Sequence, residues 1–423
     1  MDRREVVAGL VGVGVAGTAA GLQRAGASGQ PSPTTLPAVA EPWQEHPGNG
    51  PVAKVRIKPV PLGAGGYVTG MDISRDGKRF VCRTDVCNAY VRNRSDAAWR
   101  PLFNPQTLAT EDYDPPLPMN KKADGQGVAG IRIAPSNPER IYASYLGYIW
   151  RSDNGGQTIR RSTARQWKMP SNAGIQRTSN RTIDVHPQDA DTVLLGTWGE
   201  GAWYSHDGGV TWQSMPVPAS TGALDSQPGI YLVLFDQQQP DTVYVFVTGI
   251  GLHISHTGPS GPYAAVAGSP LHCTNMVWSA PGEIRLCEMT KSDDGRFWRY
   301  ASQTGLTSVK PPHEMKVAAI HPGKSDTILA SNPYGYVVLS HDGGNSWTHV
   351  SGREAEGGEI GWMRGMVSLV LGEMFYDPLD PETVFIANGV GVCTFKPDSP
   401  QFGVVDWSAG IEELCSVSAR SVP

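Results

Sequence analysis

One turn-and-strand unit recurs along the chain, and it constrains the fold more than any other feature. An apolar pair leads into a turn rich in Pro, Asp and Asn. An acid, a Thr or Arg, and a β-branched residue then open an apolar strand. The unit reads "IAPSNPERIYAS" from Ile133, "VHPQDADTVLLGT" from Val185 and "FDQQQPDTVYVFV" from Phe235. It returns as "IHPGKSDTILAS" from Ile320 and "YDPLDPETVFIA" from Tyr376, with weaker copies from Ile73 and Ser279. Seven copies spaced by roughly 40–60 residues match the blades of a propeller.

A second motif keeps a fixed register with the first. "SHDGGVTW" from Ser205 and "SHDGGNSW" from Ser340 each begin 20 residues after the start of their repeat. "SDNGGQTI" from Ser152 is the same motif, with Asn154 for the acid. This is the Asp box, S-x-D-x-G-x-[ST]-W. The acid and hydroxyl bond local backbone, the glycine takes left-handed angles, and the tryptophan packs between sheets. Ser152, Asn154, Ser205, Asp207, Trp212, Ser340, Asp342 and Trp347 are therefore read as structural, because a group repeated around a ring cannot converge on one substrate. Each blade reads as four antiparallel strands, with the turn motif between the first two and the Asp box between the last two. The fold class is all-β, a seven-bladed propeller over residues 55–410.

Such a blade sends the loop after its second strand to one face. That position holds Asp85, Tyr145, Trp198, Tyr334 and Asn388 in successive recognisable copies. Aromatic rings at loop tips either stack on pyranose faces or cap the blade edges; the first reading makes this face a sugar platform. The longer inter-blade loops open on the same face, and Trp362 in "EAEGGEIGWMRG" is the residue there expected to touch ligand.

The rest of the composition narrows the class. Gly 50 and Pro 34 in 423 residues suit many short strands joined by turns, and a net charge of -5 points away from nucleic acid and anionic membrane. No Cys/His grouping has zinc spacing, and no metal or cofactor is expected. Cys273 and Cys287 flank the turn "SAPGE"; they either bridge a hairpin or stay as buried thiols. Arg3-Arg4, a Gly/Ala-rich apolar run and Ala25-Gly26-Ala27 read as a twin-arginine export signal over 1–27, the alternative being a membrane anchor. Residues 28–54 read as a Pro/Ser-rich linker. The mature protein is expected in the periplasm or medium, off the membrane.

"GGYVTGMDIS…FVCRTDVCNAY" near the start, with "YDPLDPETVFIANGVGV" and "DWSAGIEEL" near the end, resembles glycoside hydrolase family 74, the xyloglucan-cleaving endoglucanases and oligoxyloglucan hydrolases. The likeness spans most of residues 58–415. It implies two propellers facing each other across a cleft, and hydrolysis with inversion. It implies that Asp85 is the general base, whereas the general acid sits on the second propeller, just past the "GIEE" crossover. Residues 411–423 then correspond to the start of that second propeller, and the partner carboxylate is expected outside this chain. Cys87-Asn88 stand where the family usually has glycines.

The expected partner is xyloglucan or another β-glucan, with a second propeller chain completing the site. Arg83, Tyr145, Trp198, Tyr334 and Trp362 are the expected substrate contacts. Strand alternation puts Arg83 on the same side as Asp85, where a cation would keep the base ionised. The competing reading is a non-catalytic propeller that binds β-glucan or protein. A sialidase needs three converging arginines, which the loop positions do not supply.

Overall fold

The computed structural model describes residues 67–411, apart from 86–87, 105, 109–111, 113–126, 170–180, 222–228, 230, 291, 293, 333–334, 351–370, 390 and 400–403. It also describes the backbone strands Trp43–Gln44, Val55–Pro59 and Val417–Ser421. The export signal, Tyr334, Trp362, Cys87 and Cys415 lie outside the described residues.

The unit Pro59–Val417 contains seven four-stranded antiparallel sheets, each built from consecutive strands and each a blade of the propeller. Their innermost strands are Val68–Ile73, Val128–Ala134, Ile183–Val185, Tyr231–Phe235, Cys273–Ala280, Val317–His321 and Leu371–Tyr376. We number the blades 1 to 7 in that order. Val55–Pro59, inside the expected propeller span, forms no blade strand: it pairs with Trp43–Gln44 in a separate three-stranded sheet that includes Val417–Ser421.

The apolar runs predicted these strands because a blade is covered on both sides. In blade 4 every residue of Tyr231–Phe235, Val243–Val247 and Gly251–Ser255 is buried. A strand sandwiched between neighbouring sheets reads as a continuous β-branched and aromatic run rather than an alternating one. In blades 3 and 7 the repeated threonine closes the first turn on an acid three residues earlier. Thr192 Oγ1 donates to Asp189 Oδ2 at 2.6 Å, and Thr383 Oγ1 to Asp380 Oδ2 at 2.7 Å.

The serine–aspartate turns link third and fourth strands, as their spacing predicts. In blade 3 Asp207 Oδ1 accepts from Ser205 Oγ (2.7 Å) and Thr211 N (2.8 Å), while Oδ2 accepts from Thr211 Oγ1 (2.6 Å). Blade 6 repeats this with Ser340, Asp342 and Ser346. In blade 2 Asn154 Oδ1 accepts from Ser152 Oγ at 3.1 Å and Thr158 N at 2.9 Å. Trp212 and Trp347 each donate Nε1–H back to the turn, at Gly209 O and Gly344 O, while their rings lie against Trp167 and Phe297.

Blade 7 meets blade 1 without sharing a strand. Tyr67 OH donates to Leu371 O at 3.0 Å, and Arg94 grips Asp377 with two bonds of 2.8 and 2.6 Å. The segment after blade 7 completes the closure. Trp99 donates its backbone N–H to Ala409 O and its Nε1–H to Trp407 O, and Trp407 packs on Phe80 and Phe385.

Antiparallel order fixes two faces. The turns between strands one and two, and the serine–aspartate turns, lie at one end of every blade. The loops between strands two and three, and the inter-blade connections, lie at the other.

Candidate active face

Asp85 stands at the second end, in the bend just after the second strand of blade 1, Arg79–Thr84. Its side chain is half-buried, and its backbone N–H donates to Tyr67 O at 3.0 Å. The loop that follows is pinned on both sides. Asn88 O accepts from Thr84 N and Thr84 Oγ1, both at 3.0 Å. The Asn88 side chain bonds Phe103 at both its N–H and its carbonyl, each at 3.0 Å. Asn88, at a position where the resemblance calls for glycine, thus anchors the carboxylate-bearing loop to the connection into blade 2.

Arg83 takes a different course from the one alternation suggested. It is 3% exposed and runs inward across Gly70, donating Nη1–H to Thr69 Oγ1 (2.9 Å) and Val128 O (3.3 Å). Burial pulls its pKa down to about 10, against the attraction of Glu373. It joins a buried charge network around the propeller axis that the sequence reading missed. Asp72, Arg132, Arg181, Asp184 and Glu373 project from, or just before, the innermost strands of blades 1, 2, 3 and 7.

The carboxylates of this network stitch neighbouring blades. Asp72 Oδ2 accepts Ile133 N of blade 2 at 2.8 Å, Asp184 Oδ2 accepts Phe235 N of blade 4 at 2.8 Å, and Glu373 Oε2 accepts Met71 N of blade 1 at 3.0 Å. Burial raises all three carboxyl pKa values, and the arginines oppose the shift. Arg132 Nη2 lies 3.5 Å from Glu373 Oε1, and Arg181 Nη1 3.5 Å from Asp184 Oδ1. A signal existed in the sequence: single charges inside the apolar runs "TGMDI", "IRIA" and "TIDV".

The predicted aromatic platform is rearranged as well. Tyr145 ends the second strand of blade 2, half-buried against Phe103 with centroids 4.6 Å apart. Trp198 is only 6% exposed and belongs to the apolar cluster that contains Leu232 and Tyr244, so its ring presents no open stacking face. Asn388 is fully buried. The open aromatic on this face, among the described residues, is Tyr336 of the blade 6 loop; it is 48% exposed and stacked on His313 with centroids 5.7 Å apart. The cysteine alternative resolves too. Register sets Cys287 opposite Asn275 and Cys273 opposite Glu288, and both are buried free thiols.

Comparison with known proteins places this geometry. No protein-family model matches the chain. It is 28% identical over 235 residues to the oligoxyloglucan-reducing end-specific xyloglucanase of Emericella nidulans, covering 54% of this chain and 27% of that one. It is 26% identical over 346 residues to a xyloglucanase of a Paenibacillus species, covering 69% and 32%. Among solved structures it superposes on the GH74 enzyme of Niastella koreensis at TM-score 0.67 and 22% identity, covering 84% of this chain and 56% of that one. For the GH74 xyloglucanase of Xanthomonas campestris the values are 0.68, 20%, 84% and 56%. The chain has the propeller fold of these GH74 enzymes.

The chain spans about a third of the length of the curated relatives it matches, from 27% to 38%. The aspartates of the serine–aspartate turns spend their oxygens on their own turns. Asp85 and Tyr336 stand at the opposite end, on loops rather than in the blades.

Proposed function

We propose that this propeller forms one wall of an inverting glycoside hydrolase that acts on xyloglucan or a related β-1,4-glucan, with Asp85 as general base. The observation that carries the reading is the placement of Asp85: a carboxylate at a strand end on the loop face, held by a pinned loop. Inversion needs a base that activates water on one side of the sugar and an acid that protonates the leaving oxygen on the other, with the two carboxyl groups about 6.5–9.5 Å apart. In this proposal the acid comes from a second propeller, as the family resemblance implies, on the same or a separate polypeptide.

The binding wall in this proposal is the loop face of blades 1 to 3 and 6. Tyr336 offers a ring for stacking, and the polar loop groups bond hydroxyls. Tyr334 and Trp362, outside the described residues, remain proposed contacts in the same loops. Export through the twin-arginine route belongs to the same proposal, since a polymeric glucan is met outside the cell. It is tested by mass spectrometry of the secreted protein, whose N-terminus is expected near Ser28.

The test of function is a paired assay on the 423-residue chain. Binding of soluble xyloglucan is followed by affinity electrophoresis, and cleavage by reducing-sugar release. Binding with little or no turnover supports a single wall that carries the base. Robust turnover that survives Asp85→Asn overturns the assignment of the base, and absence of binding to any β-glucan overturns the substrate class.

A further inference from the structure

The outer edge of blade 5 differs from those of the other blades. Its outermost strand, Gly305–Val309, has five residues, whereas among the described residues the outermost strands of the other six blades have two each. The turn before it accounts for the length. Thr304 N donates to Ala301 O at 3.2 Å and Gly305 takes φ 74°, so a tight hairpin stands where blades 2, 3 and 6 have the serine–aspartate turn. The fourth strand then pairs with the third along its whole length, from Ala301 opposite Gly305 to Phe297 opposite Val309.

Register decides which backbone groups of this strand are used. Ser302 N donates to Gly282 O at 2.9 Å, toward the second strand. Its neighbour Ala301 therefore turns its own N–H and C=O the other way, to Gly305. Alternation points the N–H and C=O of Thr307 and Val309 inward, to Arg299 and Phe297, and those of Leu306 and Ser308 outward. Among the described residues no other backbone group bonds these four outward groups.

Open edges are usually blunted by shortness, charge, proline or a bulge. The two-residue outermost strands are short, and four of them also carry Arg, Pro, His or Asp. Gly305–Val309 reads Gly-Leu-Thr-Ser-Val, without charge or proline, and its register has no bulge.

This edge is complementary to itself. Set antiparallel about a twofold axis at Thr307, Leu306 faces the partner's Ser308 and Ser308 faces the partner's Leu306. Every outward N–H and C=O is then used, in four bonds. Thr307 stands opposite the partner's Thr307 in the non-bonded position between them, a favourable cross-strand pair, and the two Leu306 side chains become diagonal neighbours. Lys310 falls opposite the partner's Thr304, so no like charges are directly opposed along the strand. Self-complementarity of this kind is what a twofold contact requires. We propose that blade 5 pairs edge to edge with blade 5 of a second copy of this chain, joining two four-stranded sheets into one of eight. A five-residue strand spans only ~17 Å, so the contact belongs with small, reversible interfaces.

The test uses the full 423-residue chain. Sedimentation velocity from about 10 µM to about 1 mM, the range of weak association, should show the mean mass rising toward that of a dimer. Ser308→Pro removes an outward N–H and leaves the inward bonds of the strand in place, because an edge strand tolerates proline whose nitrogen faces solvent. It should stay monomeric over that range with an unchanged melting temperature. If its melting temperature falls, Thr307→Lys takes its place, with like charges set opposite each other across the axis. Thr307→Cys checks the register: Cα atoms of such a non-bonded pair lie about 4.5 Å apart, within disulfide range. With oxidised glutathione it should give a disulfide-linked dimer on non-reducing gels. Lys310→Cys should give no more than the wild type, since that residue and its counterpart lie ~20 Å apart along the ladder. A wild type that is monomeric at the highest concentration overturns the proposal. So does a dimer that the edge variants leave intact, or a Thr307→Cys that cross-links no more than Lys310→Cys. No glucan enters these measurements, so their outcome is independent of the proposed hydrolase.

Discussion

Gly70 and Arg83 are register partners across the first hairpin of blade 1, and a Cβ on Gly70 would lie 2.7 Å from Arg83 Nε. The missing side chain is what lets the guanidinium cross the innermost strand and reach Thr69 and Val128. Gly70→Ala should therefore push Arg83 out of its buried bonds. Overpacking of this kind typically costs ~1–3 kcal/mol. Urea unfolding of Gly70→Ala should show a lower midpoint with an unchanged slope, and an unchanged midpoint would mean the strand simply yields.

Glu373 has two tasks: it faces Arg132 and accepts the backbone N–H of Met71 at the junction of blades 7 and 1. Glu373→Leu leaves three buried arginines facing two carboxylates. Breaking a buried pair on one side costs on the order of 3–5 kcal/mol. The double variant Arg132→Met/Glu373→Leu restores the balance and should lose clearly less than Glu373→Leu alone. Denaturant titration of the three proteins checks the order.

Trp198 and Tyr336 should separate stability from binding. Truncating a buried aromatic costs about 3–5 kcal/mol, so Trp198→Ala is expected to unfold at much lower denaturant. Tyr336 is half exposed, so Tyr336→Ala should leave the midpoint within about 0.5 kcal/mol and weaken xyloglucan binding. Thermal melts paired with affinity electrophoresis distinguish these outcomes. A stable Trp198→Ala that no longer binds would return Trp198 to the sugar platform.

Asp342 ties stability to acid pH. Bonds from the Ser346 hydroxyl and backbone, then from Ser340, lower its pKa from the ordinary 3.8 to about 2. A depressed carboxylate adds stability above its unfolded pKa and loses that contribution as pH falls through the folded one. The stability gap between the wild type and Asp342→Asn should be steady above pH 5 and close between about pH 4 and 2. Unfolding midpoints across that range measure it. A gap that persists at pH 2 would show that the turn does not depend on the charge.

Asp85→Asn keeps the size of the side chain and removes its basicity. Loss of a general base costs roughly 10²–10⁴ in rate. With whatever second carboxylate completes the site, the variant should bind xyloglucan as the wild type does and cleave it at least a hundredfold more slowly. Reducing-sugar assays with a matched binding measurement decide this.

The seven blades were legible in the sequence because each is a local unit. Its turn acids, its left-handed glycines and its apolar runs sit within a few dozen residues of one another, and local hydrogen bonding and β-propensity specify them. Asp207 and its turn partners are four residues apart or fewer, so the motif contains its own geometry. The position of Asp85 at a strand end was readable for the same reason. The destinations of Arg83 and Trp198 were not. Alternation says on which side of a strand a residue lies, but not whether a gap at Gly70 opens a path to the axis. Likewise it does not say whether a loop folds an indole onto Leu232 and Tyr244. The axial network joins residues from Asp72 to Glu373, nearly the length of the propeller apart in sequence. Only ring closure brings those charges together, because each alone would be too costly to bury and becomes tolerable once opposite charges and neighbouring backbone N–H groups surround it.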